Sequence, residues 1–335
     1  MAQSLLKKYL TPELEARLRG LKTANGVTLE DVIRSGQENP DSSIGVYVGD
    51  AEAYSLFAPL LDSIINEYHQ YSSDGKHRRD FDPSNLRVND FGPAGEKIIS
   101  TRIRVGRNVQ GFAFPPAITA ERRLELEKRI IEALMSLQGD LAGQYFPLSG
   151  MDEATRQSLV EDHFLFKQGD RFLEAAGVNR DWPEGRGIFH SADKRFLVWI
   201  NEEDSLRIIS MQKGGDLLSV FDRLSRAVRA LEEKLPFAYN DRTGYLSSCP
   251  TNLGTALRAS FHIALPELSK RPYFKEVCTS LGLQARGVHG EHSESEGGVY
   301  DISNRRRLGV TEVEGVQTLC DGIEELLKLE LALEG

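Results

Sequence analysis

The sequence has few cysteines and no long apolar run, and these two shortages exclude several classes of protein. Its three cysteines are Cys249, Cys278 and Cys320, which form no CxxC pair and are odd in number. We therefore expect neither a disulfide framework nor a zinc site, and we predict a reducing, cytoplasmic location. No apolar run approaches the ~18 residues of a membrane-spanning helix. Met1–Tyr9 lacks the apolar core and cleavage site of a secretory signal.

The chain also lacks an excess of basic residues. Its 41 lysines and arginines face 50 aspartates and glutamates, which gives a net charge of −9. This acidic balance, together with the lack of interleaved basic and aromatic residues, argues against nucleic-acid binding. Neither a GxxxxGK[ST] loop nor a GxGxxG turn after a strand is present, so a nucleotide would need a different kind of phosphate-binding site. The length of 335 residues predicts two globular domains.

Helix signals fill the first 70 or so residues. Thr11 and Thr28 are N-cap residues in front of short amphipathic segments. Asp50 is predicted to cap a longer helix, in which the apolar residues of Phe57–Tyr68 form one stripe. The polar stretch Ser72–Asn85 contains Asp-Gly and a basic run, and we expect it to be an exposed linker.

From about Lys97 the pattern changes to strands that alternate with helices. Ser100–Gly106 and Leu257–Leu265 alternate apolar and polar residues, and two further runs, Gly187–His190 and Phe196–Asn201, are predicted to form a hairpin. Three longer helices are predicted to begin at Thr119, Asp216 and Thr311. Cys278 and Cys320 lie in amphipathic helices and are expected to be core residues. Strands joined by short turns indicate an antiparallel-rich α+β domain.

Arginines stand on several of these predicted strands. Because strand side chains alternate between faces, Arg102 and Arg104 share one face, and Arg258 and His262 share one face of their own strand. The arginine fork suits bidentate binding of phosphate or carboxylate. Either these are exposed strand faces and internal ion pairs, or they converge on a triphosphate. The complete set is Arg102, Arg104, Arg207, Arg258 and Arg286.

Cys249 lies in a second unusual segment, which ends at Thr255. The hydroxyl of Thr251 is two residues away and can donate to the sulfur, so together with cationic neighbours it predicts a thiolate at neutral pH. The alternative is a buried, inert cysteine. At Glu202–Asp204 three carboxylates follow an apolar strand, either as an acidic turn or as the site of a cation such as a guanidinium. The glycine-rich stretch 287–298 is either a plain solvent loop or a loop that closes over a ligand.

Together these segments resemble the phosphagen (guanidino) kinase family. The stretch Cys249–Thr255 reads Cys-Pro-Thr-Asn-Leu-Gly-Thr and matches the active-site motif of that family in full. Four other stretches match as well, and the resemblance covers nearly the whole chain. They are Ser100–Arg107, Asp162–Phe166, Trp199–Met211 and Arg286–Asn304.

This resemblance implies an α+β fold and a phosphoryl-transfer activity. The expected domains are an all-α substrate-specificity domain at 1–75, a linker at 76–97 and a catalytic domain at 98–335. The catalytic domain is expected to hold an eight-stranded antiparallel sheet flanked by helices, as in glutamine synthetase. The implied reaction is reversible transfer of the ATP γ-phosphoryl group to a small guanidino compound, with Mg²⁺ carried by the nucleotide. Nucleic-acid and membrane partners are not expected, and the chain is predicted to be a monomer or homodimer.

The resemblance also implies roles for particular residues. Glu203 and Glu291 match the two carboxylates that hold the guanidinium, and Cys249 matches the cysteine beside its reactive nitrogens. His163 and His262 match residues that pack near adenine. The implied ATP-binding residues are Arg102, Arg104, His163, Arg207, Arg258, His262 and Arg286.

The loop Asp41–Tyr47 resembles that of arginine kinases within this family, which implies L-arginine as the acceptor. In those enzymes backbone N–H groups of this loop recognise the amino-acid carboxylate. This sequence has Ser43-Ile44 where arginine kinases commonly have Gly-Val. Asp41 and Arg171 match an ion pair between this loop region and the large domain. The implied substrate-binding residues are Ser42, Ser43, Ile44, Gly45, Tyr47, Glu203, Cys249 and Glu291.

Three alternative functions stay open. The acceptor could be another guanidino compound, such as taurocyamine or creatine. Bacterial protein-arginine kinases share the catalytic domain but lack a helical N-terminal domain such as 1–70. A catalytically silent ATP-binding protein is the non-enzymatic alternative, and such proteins usually lose groups equivalent to Glu203, Cys249 and Glu291, which are retained here.

Overall fold

The chain forms a helical N-terminal part followed by a large antiparallel sheet with helices on it. The computed structural model describes residues 4–71, 75–88, 91–161, 164–166, 168–287 and 297–334. Its α-helices are α1 (Leu5–Tyr9), α2 (Pro12–Leu18), α3 (Leu29–Glu38), α4 (Ala51–Leu56), α5 (Ala58–His69), α6 (Ala120–Leu134), α7 (Glu153–Glu161), α8 (Arg171–Ala175), α9 (Leu217–Glu232), α10 (Phe274–Ser280) and α11 (Glu312–Glu334). Its strands are β1 (Ile98–Arg107), β2 (Gly143–Pro147), β3 (Gly187–Ser191), β4 (Phe196–Ile200), β5 (Leu206–Lys213), β6 (Tyr239–Asn240), β7 (Gly244–Tyr245), β8 (Leu257–Ala264), β9 (Leu283–Gly287) and β10 (Val299–Asn304).

Eight of the strands form one sheet in the order β2-β3-β4-β5-β1-β8-β10-β9. Every neighbouring pair in this sheet is antiparallel. The predicted α+β fold with an eight-stranded antiparallel sheet is therefore confirmed. The predicted hairpin is also present, because β3 and β4 pair directly through a short polar turn. Strands β6 and β7 form a separate two-stranded ribbon.

One face of the sheet is buried under long helices. Helix α9 packs on β1 and β5, and α11 packs on β8 and β10. The buried cluster joins sheet residues such as Val105 and Phe261 to helix residues such as Leu126 of α6. Cys278 and Cys320 are fully buried in this core, as their amphipathic helices predicted. On the opposite face, polar side chains of β1 and β8 lie beside a smaller apolar cluster that includes Leu197, Trp199 and Ile209.

The N-terminal helices share a second apolar core with part of the large domain. Helix α3 begins at Thr28 with a capping box, in which the Thr28 side chain accepts from Asp31 N and the Asp31 side chain accepts from Thr28 N. The cluster formed by these helices also contains Cys249, Leu253 and Leu308, which lie far along the chain. The Cys249–Thr255 stretch, on which the family resemblance rests, is thus packed directly against the N-terminal helices.

The helix predicted to run from Asp50 through the apolar stripe is broken in two. Asp50 does cap it, with Oδ1 accepting from Ala53 N at 2.8 Å. Helix α4 ends at Leu56 and α5 begins at Ala58, because Pro59 cannot donate to the carbonyl of Ser55 and its ring crowds that turn. The stripe also ends earlier than predicted, since Tyr68 is exposed.

The segment expected to be an exposed linker is mostly exposed over its described residues, but it also contacts the large domain. His77 is buried, with 5% of its surface exposed. Arg78 forms an ion pair with Glu314, and Arg79 forms one with Glu232. The expectation of a solvated basic run is therefore wrong for His77, because this residue packs on the β6–β7 ribbon, where its backbone N–H donates to Asp241 and its ring contacts Tyr239. Among the described helices, none is both long enough and apolar enough to cross a bilayer.

Candidate active site

Strand register brings the arginines identified in the sequence onto one face of the sheet. Arg104 on β1 lies opposite Arg258 on β8. Arg207 on β5 lies opposite Gly106, which is two residues from Arg104 and therefore on the same face. Across β10 the same face continues to Arg286, which lies opposite Asp301. The sheet thus presents the side chains of arginines from four strands in one concave, polar surface.

Carboxylates pair with two of these arginines. Arg207 Nη2 donates to Glu203 Oε2 at 2.7 Å, and its Nη1 donates to Glu202 Oε1 at 3.1 Å. Arg258 Nη2 donates to Asp301 Oδ2 at 2.7 Å. Burial lowers the pKa of Arg207, but the surrounding carboxylates more than offset it and raise that pKa above its usual value. These arginines are therefore held in place before any ligand arrives.

Arg102 and Arg104 have a different environment. Burial, reinforced by the charges of neighbouring arginines, lowers the pKa of Arg102 to about 10 and the pKa of Arg104 well below its ordinary value. The guanidinium of Arg102 lies 5.9 Å from the centroid of the Trp199 ring, and that of Arg207 lies 5.4 Å from it. Clustered like charges store repulsion that an anion with several negative oxygens would relieve.

A cavity of about 500 Å³ opens along this arginine face. Arg102, His262 and Asp301 contribute its polar wall, and Trp199 contributes an aromatic wall. Its remaining lining is Val160, Leu165, Phe166, Gln168, Gly169, Asp170, Leu173 and Glu202. A narrower recess beside it is lined by Arg104, Gly106, Asp204, Arg207, Asn252, Ala256, Arg258 and Arg307.

Glu203 lies just beyond β4 and is held on both oxygens. Its Oε2 accepts from Arg207, and its Oε1 accepts from Asn252 Nδ2 at 3.3 Å. Burial raises the pKa of Glu203 to about 7, with the negative charges of Glu202 and Asp204 adding to the effect and Arg207 opposing it. A carboxyl group whose pKa lies near neutral pH is partly protonated there, and it can release its proton when a cation binds.

Asp204 is a structural anchor that the sequence reasoning did not single out. Its Oδ1 accepts from Asn108 Nδ2 and from the backbone N–H of Ser248, both at 2.7 Å. The buried carboxylate therefore ties the end of β1 to the segment that carries Cys249. The acidic run at Glu202–Asp204 was a visible signal, but nothing in the run distinguishes Asp204 from Glu203.

Cys249 is buried beside Glu203 and the N-terminal helices. Its Sγ lies 3.1 Å from the hydroxyl oxygen of Thr251, as the spacing predicted. The surroundings of the sulfur oppose the predicted thiolate: burial raises the pKa of Cys249 to about 12, and the charge of Glu203 adds to the effect, while Thr251 opposes it. Burial has the largest effect because it removes the sulfur from the water that would solvate a thiolate.

The loop of residues 41–47 lies at the same site. Tyr47 is half-buried, and the charges of Cys249 and Glu203 add to burial in raising the pKa of its hydroxyl. The Ser43 and Ile44 carbonyls accept from Leu5 and Leu6 N–H groups at 2.9 and 3.0 Å.

Ser42 and Gly45 shape the turn in this loop. Ser42 Oγ accepts from Gly45 N at 3.0 Å. Gly45 has φ of +76°, and a Cβ there would lie 2.7 Å from the Leu6 side chain, so glycine is required on both counts. Within the described part of the chain, the N–H groups of Ser43 and Ile44 make no hydrogen bond.

The matched pair of Asp41 and Arg171 is in contact. Arg171 Nη1 donates to Asp41 Oδ1 at 2.9 Å, its Nη2 donates to Oδ2, and Nη1 also reaches Asn39 Oδ1 at 3.1 Å. Ser35 Oγ of α3 adds a bond to the Phe172 carbonyl at 2.8 Å. The loop region is thus tied to α8 of the large domain.

Two of the residues implied by the resemblance, His163 and Glu291, lie outside the described residues, as does the 288–296 part of the glycine-rich loop. Arg307 was not singled out, although it lines the narrow recess. It belongs to the run Arg305–Arg307, which was the available signal. Across the residues that can be described, no cluster of three or more His, Cys, Asp or Glu side chains could hold a metal ion.

Comparisons with known proteins identify the class that this site belongs to. The N-terminal domain model of the ATP:guanido phosphotransferases matches residues 1–66, and the C-terminal catalytic domain model matches residues 125–333. The chain belongs to the ATP:guanido phosphotransferase family. The family and enzyme class predicted from the sequence are therefore confirmed, and ATP and ADP are substrates in this family.

Several curated relatives are called arginine kinases. The chain is 58% identical over 332 residues to one from Anthopleura japonica, covering 98% of this chain but only 46% of that protein, so it spans about half that relative's length. It is 53% identical to one from Liolophura japonica and 54% identical to one from Penaeus vannamei, covering 95% and 93% of those proteins.

Solved structures with the same fold include kinases with other names. The duplicated taurocyamine kinase of Schistosoma mansoni, with bound transition-state analogue components, superposes with a TM-score of 0.94 at 46% identity. The superposition covers 99% of this chain and 46% of the taurocyamine kinase chain. A lombricine kinase superposes with a TM-score of 0.94 at 43% identity, covering 93% of its own chain.

Proposed function

We propose that this protein is an arginine kinase, which transfers the γ-phosphoryl group of ATP reversibly to a guanidino nitrogen of L-arginine. The observation that carries the proposal is the bond from Arg207 Nη2 to Glu203 Oε2 at 2.7 Å. It joins the arginine face, which suits polyphosphate, to the carboxylate that suits a guanidinium. The two reacting groups would therefore meet at the boundary between these two surfaces.

Phosphoryl transfer needs alignment and charge neutralisation more than covalent help. In our proposal the arginines of the sheet bind the phosphate oxygens, and their fixed positions neutralise charge that spreads during transfer. Glu203 and Cys249 orient the guanidinium so that one nitrogen lies in line with the phosphorus. Glu291 is proposed as the second carboxylate on that guanidinium, and His163 and His262 are proposed to pack near adenine.

The residues present also fit a magnesium ion delivered with ATP. Glu202 Oε2 is a buried carboxylate oxygen without a hydrogen-bond partner within the described structure, and it lies in the wall of the nucleotide-sized cavity. Carboxylate oxygens suit Mg²⁺. When bound, the ion would neutralise phosphate charge, while the protein's own arginines orient the triphosphate.

Loop 41–47 supports L-arginine as the acceptor. The unpaired N–H groups of Ser43 and Ile44 are donors for an α-carboxylate, and Tyr47 of the same loop lies close enough to Glu203 to be affected by its charge. The names of the relatives at 53–58% identity agree with this choice. We also propose domain bounds of 1–75 and 98–335 joined by a linker at 76–97, and a monomer or homodimer as the assembly.

Taurocyamine and lombricine are the competing acceptors, because the similar solved structures belong to kinases for those compounds. The test is a coupled ADP-release assay with arginine, taurocyamine, lombricine, creatine and an arginine-containing peptide. Arginine should give the highest kcat/KM. A higher value for any other acceptor would disprove the assignment. The Glu203→Gln variant, purified in parallel, controls for contaminating kinases because it should lose activity with every acceptor.

A further inference from the structure

The backbone that carries Cys249 is held by hydrogen bonds at five consecutive carbonyl groups. These are the carbonyls of residues 247–251. Two of them accept within the turn itself, Cys249 from Asn252 N–H at 3.0 Å and Pro250 from Leu253 N–H at 3.2 Å, and each of the five also accepts from a further donor. In carbonyl order the donors are the Tyr54 hydroxyl (2.7 Å), Val48 N–H (2.7 Å), the Ser247 hydroxyl (2.7 Å), His69 Nε2 (2.8 Å) and Arg307 Nη1 (3.0 Å). Three of the five donors belong to the N-terminal part of the chain, so the segment is positioned from across the molecule.

Of the three N-terminal donors, His69 is the one that contacts the turn following Cys249. It is the last residue of α5, and its Nε2 lies 2.8 Å from the Pro250 carbonyl oxygen. Because a carbonyl oxygen can only accept, Nε2 must carry the proton. Burial lowers the pKa of His69 to about 4; the bond to Pro250 opposes this, and the charge of Arg307 adds to it. The imidazole is therefore neutral at physiological pH, and the donor is always present.

The peptide group that follows Pro250 controls two contacts of the active site. It belongs to the short 3-10 turn Pro250–Asn252, against which α5 packs. Rotation of that peptide plane moves Thr251, whose hydroxyl lies 3.1 Å from the Cys249 sulfur. It also moves Asn252, whose side-chain amide donates to Glu203. A hydrogen bond to the Pro250 carbonyl therefore acts on the surroundings of both the sulfur and the carboxylate.

We propose that His69 is a positioning residue for phosphoryl transfer, which fixes the Pro250 carbonyl and through it the alignment of Cys249 and Glu203. The inference rests on the proposed function, because it assumes that these two groups orient the guanidinium. It makes the N-terminal helices part of the catalytic alignment as well as of substrate recognition. His69 itself would touch neither substrate.

The test compares two substitutions at His69 with a matched control. His69→Phe keeps a ring but removes the donor, whereas His69→Gln places an amide N–H near the position of Nε2. His190→Phe is the control, because His190 Nδ1 also lies 2.9 Å from a carbonyl, that of Ser191, in β3, which pairs with none of the strands that carry the arginines. Readouts are kcat and KM for each substrate, thermal unfolding, and the rate of Cys249 alkylation by iodoacetamide, located by peptide mass spectrometry.

We expect His69→Phe to lower kcat by about tenfold, as for the loss of one aligned hydrogen bond, while KM for ATP is unchanged. The rate of Cys249 alkylation should change in the same variant. His69→Gln should recover most of both properties, and His190→Phe should match the unaltered protein. If His69→Phe only destabilised the protein, the unfolding temperature would fall. A lower kcat at unchanged KM for ATP, and its recovery in His69→Gln, would not be expected.

Three outcomes would overturn the proposal: His69→Phe behaving like His190→Phe, His69→Gln behaving like His69→Phe, or unchanged Cys249 alkylation in His69→Phe. If His69→Phe does not fold, His69→Asn replaces it, since its shorter amide cannot reach the Pro250 carbonyl. The alkylation measurement uses the protein without substrates. It therefore tests the positioning role even if arginine fails as an acceptor, and that failure would appear separately in the assay of the unaltered protein.

Discussion

The protonation state of Glu203 should make arginine binding depend on pH. Without ligands, burial raises the pKa of this carboxyl to about 7. A guanidinium cation needs the ionised carboxylate, so a proton and arginine compete for the same group. Binding therefore lowers the pKa of Glu203, and affinity must rise as the pH increases through the value of the free protein.

The size of the effect follows from that pKa. A group with a pKa of about 7 is about nine-tenths protonated at pH 6 and about one-tenth protonated at pH 8. The affinity for arginine should therefore rise about tenfold between these values, which is about 1.4 kcal/mol of binding free energy. Close to one proton should be released per arginine bound at pH 6, and almost none at pH 8.

Isothermal titration calorimetry measures both quantities, if each titration is repeated in buffers of different ionisation enthalpy. Glu203→Gln should bind arginine weakly and without this pH dependence. His262→Gln is the second control, because His262 lies on the same face of the sheet and imidazoles titrate in this range. A flat affinity profile, proton uptake on binding, or loss of the pH dependence in His262→Gln would refute the reasoning.

Three further predictions test other parts of the site. The rate of Cys249 alkylation should keep rising above pH 9, and Glu203→Gln should accelerate it; a plateau at or below a pKa of 8.5 would contradict the buried-thiol account. Asp41→Asn and Arg171→Gln should barely change the melting temperature, because the pair is exposed, yet their effects on KM for arginine should be non-additive in a double-mutant cycle. Asp301→Asn should lower the free energy of unfolding by about 3 kcal/mol in denaturant titrations, because it leaves a buried arginine unpaired; an unchanged value would show that the pair contributes little.

The arginine face could be predicted from local sequence because strand periodicity is a local property. Alternation alone places Arg102 and Arg104 on one side of β1. It does not give the pairing of strands. That pairing places Arg258 opposite Arg104, and it places Arg207 opposite Gly106, two residues beyond Arg104. The contact between Cys249 and Thr251 was likewise local, since it joins residues two apart.

The features that sequence reasoning missed depend on distant segments. The pKa of Cys249 is raised because the N-terminal helices bury it. That contact cannot be predicted from the spacing of residues within the motif. His77 is buried for the same kind of reason, inside a polar stretch that resembles a linker. The break before α5 is different: Pro59 was visible, but the apolar stripe outweighed it.

Phosphorus-31 NMR of an equilibrium mixture tests the central claim, that the arginine face and Glu203 align ATP with a guanidino nitrogen for direct transfer. The protein is mixed with ATP, Mg²⁺ and L-arginine, and the phosphorus resonances are followed until they stop changing. We predict a phosphoarginine resonance that exchanges magnetisation with the γ-phosphorus of ATP, because transfer is reversible. Release of inorganic phosphate without a phosphoarginine resonance, or no consumption of ATP, would contradict the account.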